Sequence, residues 1–149
     1  MLPNPITMAK RLLIHQEGLR LKPYYDSTGH LTIGVGRNLT ANGISEAEAM
    51  HLLANDIVRT YRELSDKFPW YSRLDDVRQL ALLSMAFNLG MGGLLGFKIM
   101  LAALADKRYK DAASAALNSK WATQVGHRAV EIADMLKTGK LPAVLDAPT

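Results

Sequence analysis

Apolar residues recur at helical spacing over most of this chain and switch to alternation in one short stretch near its start. Ile6, Ala9, Leu12 and Leu13 form one face of a first helix. It begins near Asn4-Pro5, a cap residue followed by a proline in the first turn, and stops at Gly18. Over 24–36 the pattern becomes strand, with Tyr24-Tyr25 and Leu31-Thr32-Ile33 flanking a turn at Asp26-Ser27-Thr28-Gly29. Gly34 and Gly36 mark a bend or a close backbone approach, and Asn42-Gly43 reads as a second turn. Ser45 with Glu48 is a capping box that predicts a long helix to about Lys67. Met50, Leu53, Ile57, Tyr61 and Leu64 lie on its apolar face, and Pro69 ends it.

The rest reads as helix. The stretch 74–89 is apolar nearly all round, as a central buried helix should be. Gly90, Gly92, Gly93 and Gly96 predict a loose turn. Shorter helices are expected over roughly 98–105, 110–119 and 127–138, with Gly139 as a C-cap and a weakly structured tail over 142–149. The fold class is therefore α+β and predominantly α-helical.

Composition narrows the picture. At 149 residues and 48% hydrophobic, the chain has the size and content of one globular domain with a real core. The absence of cysteine excludes disulfides and thiolate zinc sites. No apolar run reaches membrane-spanning length, and the first ten residues lack the basic-then-apolar order of a secretory signal. The net charge is +4, which fits a plain solvated surface or a polyanionic partner. Nucleic acid and the acidic bacterial envelope both qualify as such a partner, although the basic residues form no single run.

The candidate chemistry lies around the hairpin. Glu17 closes the first helix, where the negative end of the helix dipole disfavours an ionised carboxylate. Asp26 sits in the turn and Thr32 in the following strand. Two carboxyls of different environment are what glycosidic cleavage needs. Each residue also has a plain alternative: a surface glutamate, a turn aspartate bonding its own backbone, and a β-branched packing residue. His15, His30, His51 and His127 show no metal-ligand spacing.

The run Glu17-Gly18-Leu19-Arg20-Leu21, then Tyr24-x-Asp26, then Gly29-x-x-Thr32-Ile33-Gly34-x-Gly36 resembles the signature of the phage-type lysozymes, glycoside hydrolase family 24. Leu74-Asp75-Asp76-Val77-Arg78, Met85-Ala86-Phe87-Asn88-Leu89-Gly90 and Gly96-Phe97 resemble the family's central helix and the turn after it. Ser119-Lys120-Trp121, Gln124, Arg128-Ala129 and Lys137-Thr138-Gly139 resemble its C-terminal end. The likeness spans nearly the whole chain.

That resemblance implies a single lysozyme domain over 1–149 in two lobes joined by the long helix. The small lobe covers about 17–60 with the hairpin at 24–36, and the large helical lobe about 1–16 and 61–149. It implies Glu17 as general acid, with Asp26 and Thr32 holding and activating water in an inverting hydrolysis. Phe87 and Asn38 are expected on the substrate side, with Arg128, Gly34 and Gly36 supporting and Arg128 paired to Glu17. No metal or cofactor is implied. The implied partner is the peptidoglycan glycan strand, cut at the β-1,4 bond between N-acetylmuramic acid and N-acetylglucosamine. No nucleic acid or membrane insertion is implied. A monomer is expected, accumulating in a host cytoplasm and reaching the periplasm and wall after a holin opens the membrane.

Departures accompany the likeness. Arg37 replaces a histidine of the T-even phage lysozymes, and Asn38 an apolar residue. The segment 37–45 is short, with no room expected for their extra small helix. Met100 and Ala115 replace polar groups that touch substrate there. Phe87, Tyr109 and Trp121 also read as packing residues. Two rival readings are a lytic transglycosylase or chitinase-like hydrolase, and a basic wall- or nucleic-acid-binding module without turnover.

Overall fold

In the computed structural model, which describes residues 4–146, the first helix, α1, runs Pro5–Glu17. Asn4 Oδ1 accepts from the N–H groups of Ile6 and Thr7 at 3.0 and 3.2 Å. Pro5 occupies the position where a missing N–H costs nothing. Gly18 ends the helix at φ +80°, its N–H returning to Ile14 O at 2.8 Å. The expected apolar face of Ile6, Ala9, Leu12 and Leu13 is exposed, and α1 has no buried residue.

Three antiparallel strands follow in the order β1 (Arg20–Tyr25), β2 (Leu31–Gly34) and β3 (Arg37–Asn38). Strand β1 starts earlier than the tyrosine pair suggested. Its pairing to β2 is irregular between Arg20 and Tyr24, where Pro23 lacks a ladder donor. Tyr24 and Asn38 both pair with Thr32, which places Thr32 at the centre of the sheet.

The segment 37–45 does hold a short helix, α2 (Leu39–Asn42), contrary to the expectation from its length. One turn fits because Asn38 Oδ1 caps Ala41 N at 3.0 Å and Gly43 closes the end at φ +55°. Helix α3 (Glu46–Lys67) opens on the predicted capping box. Ser45 N donates to Glu48 Oε1 at 2.8 Å, and Glu48 N to Ser45 Oγ at 3.1 Å. The buried positions of α3 are Thr60 and Leu64 alone, whereas Met50 and Leu53 are exposed.

The chain divides into two compact units between Leu52 and Leu53. Helix α1 falls with the hairpin in the first unit, while residues 1–16 were expected in the large lobe. Gly18 passes α1 directly into β1, so helix and hairpin form one continuous local structure.

The second unit carries the core. Its helices are α4 (Asp76–Leu95), α5 (Lys98–Ala105), α6 (Tyr109–Leu117), α7 (Lys120–Val125) and α8 (His127–Thr138). The glycine-rich stretch is no loose turn. Helix α4 kinks at Gly90, with φ +73° and ψ 166°, and resumes to Leu95 before meeting α5 at 103°. Short α7 was not predicted, although Ser119 Oγ caps it by accepting from Ala122 N at 3.1 Å. A 3-10 turn covers Ala143–Asp146, and the rest of the expected weak tail lies outside the described residues. Leu64, Leu82, Met85, Leu94, Met100, Leu104 and Leu136 are fully buried. Arg78 ties α4 to the end of α8, donating from Nε to Leu136 O at 2.7 Å and from Nη2 to Lys137 O at 3.0 Å. A cation there also suits the negative helix end.

Adjacent residues on α5 separate burial from composition. Met100 is fully buried and Ile99 is 76% exposed. Met100→Ala is expected to cost about 2–5 kcal/mol in urea unfolding, whereas Ile99→Ala stays within roughly 0.5 kcal/mol.

Candidate active site

Helix α1 delivers Glu17 as its last residue, exposed and against the bend between β2 and β3. A Cβ added at Gly36 would lie 3.3 Å from Glu17 Oε2. Gly36 also sits at φ +67°, in the left-handed region. A glycine is needed there on both counts, conformation and space. Gly34, at φ +70°, answers the first need only, since nothing lies within 4 Å of its added Cβ.

Asp26 closes the turn between β1 and β2. Its Oδ1 accepts from Thr28 N at 2.9 Å, Thr28 Oγ1 at 2.9 Å and His30 N at 2.8 Å. Those donors favour the charged form and hold the carboxyl below its ordinary range. The His30 N–H contributes most and the Thr28 hydroxyl next. Thr32 is 3% exposed, and its hydroxyl donates to His30 O at 2.8 Å. The same carbonyl accepts from Asp26 N at 3.0 Å. Asp26 and Thr32 therefore meet on the backbone of His30. The turn-aspartate and strand-packing alternatives hold as well, since both residues build the hairpin that carries them.

Asn38 uses its side-chain oxygen to cap α2. Beside it, Arg37 binds Glu48 through both carboxylate oxygens at 2.9 and 2.7 Å and donates to Gly43 O at 3.0 Å. This pair ties β3 to the start of α3. The sequence flagged Arg37 only as a departure and Glu48 only as a capping residue, and nothing in their spacing joins them.

In the second unit, Phe87 is exposed, and it and Arg128 line one apolar pocket of about 630 Å³. Arg128 Nη2 donates to Ser84 O and Oγ at 3.1 and 3.2 Å, bracing α8 against α4. A larger pocket of about 1000 Å³ is lined by Phe97, Met100, Ala115 and Trp121 among others. Trp121 is a packing residue, stacked edge-on against Phe97, with Nε1 donating to Asn88 Oδ1 at 2.8 Å. That bond joins residues far apart in the chain and left no sequence signal. Tyr109 packs its ring under the Arg78 guanidinium at 3.5 Å. Among the described residues no three His, Asp or Glu side chains group as a metal site.

The sequence model of the family described as phage lysozyme matches residues 14–134. The "Pre-baseplate central spike protein Gp5" of Enterobacteria phage T4 is 31% identical over 93% of this chain, which spans 29% of that protein's length. "Probable T4-type lysozyme 2" of Dictyostelium discoideum is 28% identical, covering 91% of this chain and 97% of the relative. An "Endolysin" of Salmonella phage P22 is 36% identical over 76% of this chain and 79% of its own length.

Two outcomes follow from the hairpin geometry. Gly36→Ala places a methyl group against the Glu17 carboxyl and forces a non-glycine residue to φ +67°. Backbone strain alone is expected to cost about 1–2 kcal/mol, read as a lower melting temperature together with a displaced Glu17 in a crystal structure of the variant. Glu48 titrates at about 2 against an ordinary 4.5, chiefly because Arg37 bonds its charged form. Its stabilising contribution is thus present above pH 4.5 and fades as pH falls toward 2. Melting temperatures across that interval should vary less with pH in Glu48→Gln than in the wild type.

Proposed function

This chain belongs to the phage lysozyme family of glycoside hydrolases, and we propose that Glu17, Asp26 and Thr32 carry its hydrolysis of peptidoglycan. The bond cut is the β-1,4 link between N-acetylmuramic acid and N-acetylglucosamine. The observation that carries the assignment is the meeting of Asp26 and Thr32 on His30, in a sheet whose bend at Gly36 lies close to the Glu17 carboxyl.

Glu17 gives its proton to the leaving glycosidic oxygen as the bond to C1 breaks. Water attacks C1 from the opposite face and passes its proton to Asp26, so the anomeric configuration inverts. The bonds to Asp26 Oδ1 suit a base, because they keep the carboxylate charged. The Thr32 hydroxyl donates its one hydrogen bond to His30 O, so it offers the water lone pairs. Solvent returns the proton from Asp26 to Glu17 between turnovers.

A lytic transglycosylase needs the acid but neither Asp26 nor Thr32, and the bonds around both favour hydrolysis. The basic surface suits an acidic wall polymer. We place the protein in a lytic role, with a holin opening its way to the wall. No single helix among the described residues is long and apolar enough to cross a membrane.

Purified peptidoglycan digested with wild type, Glu17→Gln and Asp26→Asn, followed by mass spectrometry of the products, tests the reading. Reducing N-acetylmuramic acid ends from the wild type, reduced by about 10²–10⁴ in Glu17→Gln, are expected for a lost general acid. Anhydro ends would overturn the mechanism. DNA retention with no wall products would move the protein to the binding-module class.

A further inference from the structure

We propose that Thr28 and His30 are positioning residues for Asp26: a hydrogen-bond chain from His30 Nδ1 through Thr28 Oγ1 to Asp26 Oδ1 fixes the carboxylate so that Oδ2 receives the water's proton. The proposal rests on the reading of Asp26 as the base.

The direction of the chain follows from counting protons. An ionised carboxylate only accepts, and a threonine hydroxyl has one proton to give. Thr28 Oγ1, 2.9 Å from Asp26 Oδ1, spends that proton on it. The same hydroxyl oxygen lies 2.7 Å from His30 Nδ1. The proton of that second bond therefore sits on the ring, at Nδ1. With the Thr28 and His30 backbone N–H groups, Oδ1 collects three donors. Oδ2 accepts no hydrogen bond among the described residues, and His30 Nδ1 stands 3.6 Å from it. The free lone pairs of the carboxylate are thus concentrated on one oxygen.

An ordinary aspartate turn does not require this. Backbone N–H groups suffice to close it, and those of Thr28 and His30 already donate to Asp26 Oδ1 without the Thr28 hydroxyl or the His30 ring. Both are exposed, the His30 side chain by 51%, so packing does not explain them either. The His30 backbone N–H, the Thr28 hydroxyl and the Thr28 backbone N–H all act to favour ionised Asp26.

The test uses Thr28→Val, Thr28→Ser, His30→Ala and the double variant Thr28→Val/His30→Ala, with melting temperature, kcat, KM and the pH profile of kcat/KM on solubilised glycan strands. Thr28→Val should lower kcat by about three- to tenfold, the worth of one net hydrogen bond, with KM unchanged. Its acidic limb should move to higher pH, because a bond to the charged form is gone. Thr28→Ser should restore both. His30→Ala should have a smaller effect that vanishes in the Thr28→Val background, since the ring acts through that hydroxyl. A Thr28→Val enzyme with the wild-type kcat and acidic limb overturns the proposal, as does failure of Thr28→Ser to rescue. Asp26→Asn, assayed alongside, separates the two failures. If it turns over like the wild type, the base assignment falls. If it is inactive while Thr28→Val is unchanged, only the chain falls.

Discussion

The backbone of His30 is where the hairpin is held together. Its N–H goes to Asp26 Oδ1, and its C=O takes both the Asp26 N–H and the Thr32 hydroxyl. One residue thereby sets the turn, the register at the top of β2 and the placing of two side chains that the proposed chemistry uses. Loss of that geometry would not leave Asp26 and Thr32 as independent parts. The residues that close the turn are the residues assigned to the water.

The two units are stabilised by different physics. Thr32 is the one buried side chain among the described residues of the first unit, so apolar burial contributes little within it. Directional bonds take that part: the Asn4 and Asn38 caps, the capping box at Ser45 and Glu48, and the Arg37–Glu48 pair. In the second unit a contiguous apolar core does the work, and polar bonds such as Arg78 to Leu136 O and Trp121 to Asn88 finish its seams. Directional bonds fix angles more tightly than they add stability. That suits the role proposed for this segment, which is to hold a few oxygens in place.

Much of this was legible in the chain, for stated reasons. Asn4-Pro5, Ser45 with Glu48, and Gly139 are local signals whose partners lie within four residues, and each marked its boundary. The fixed spacing from Glu17 to Gly36 located the candidate site and the family. What escaped was non-local or compensatory. The helix at Leu39–Asn42 arose because Asn38 and Gly43 cap a single turn. The kink at Gly90 looked like a chain break because a positive-φ glycine ends most helices, and here the helix resumes. The face of α3 was misjudged toward its start because periodicity shows that residues share a side without showing that anything covers them. The Arg37–Glu48 and Trp121–Asn88 contacts need a fold before they can be seen.

The donors around Asp26 and Thr32 constrain more than position. The Thr32 hydroxyl has no proton left to give, and an ionised Asp26 has none at all. In the proposed hydrolysis, a water held by both must point its hydrogens at them. Both of its lone pairs are then free, and an attack on an anomeric carbon needs one of them. An aspartate protonated at working pH would donate instead and occupy one of those lone pairs. The bonds that lower the Asp26 carboxyl and the bond that occupies Thr32 thus serve one end. In the hydrolysis proposed for this hairpin, they leave the water one role, that of nucleophile.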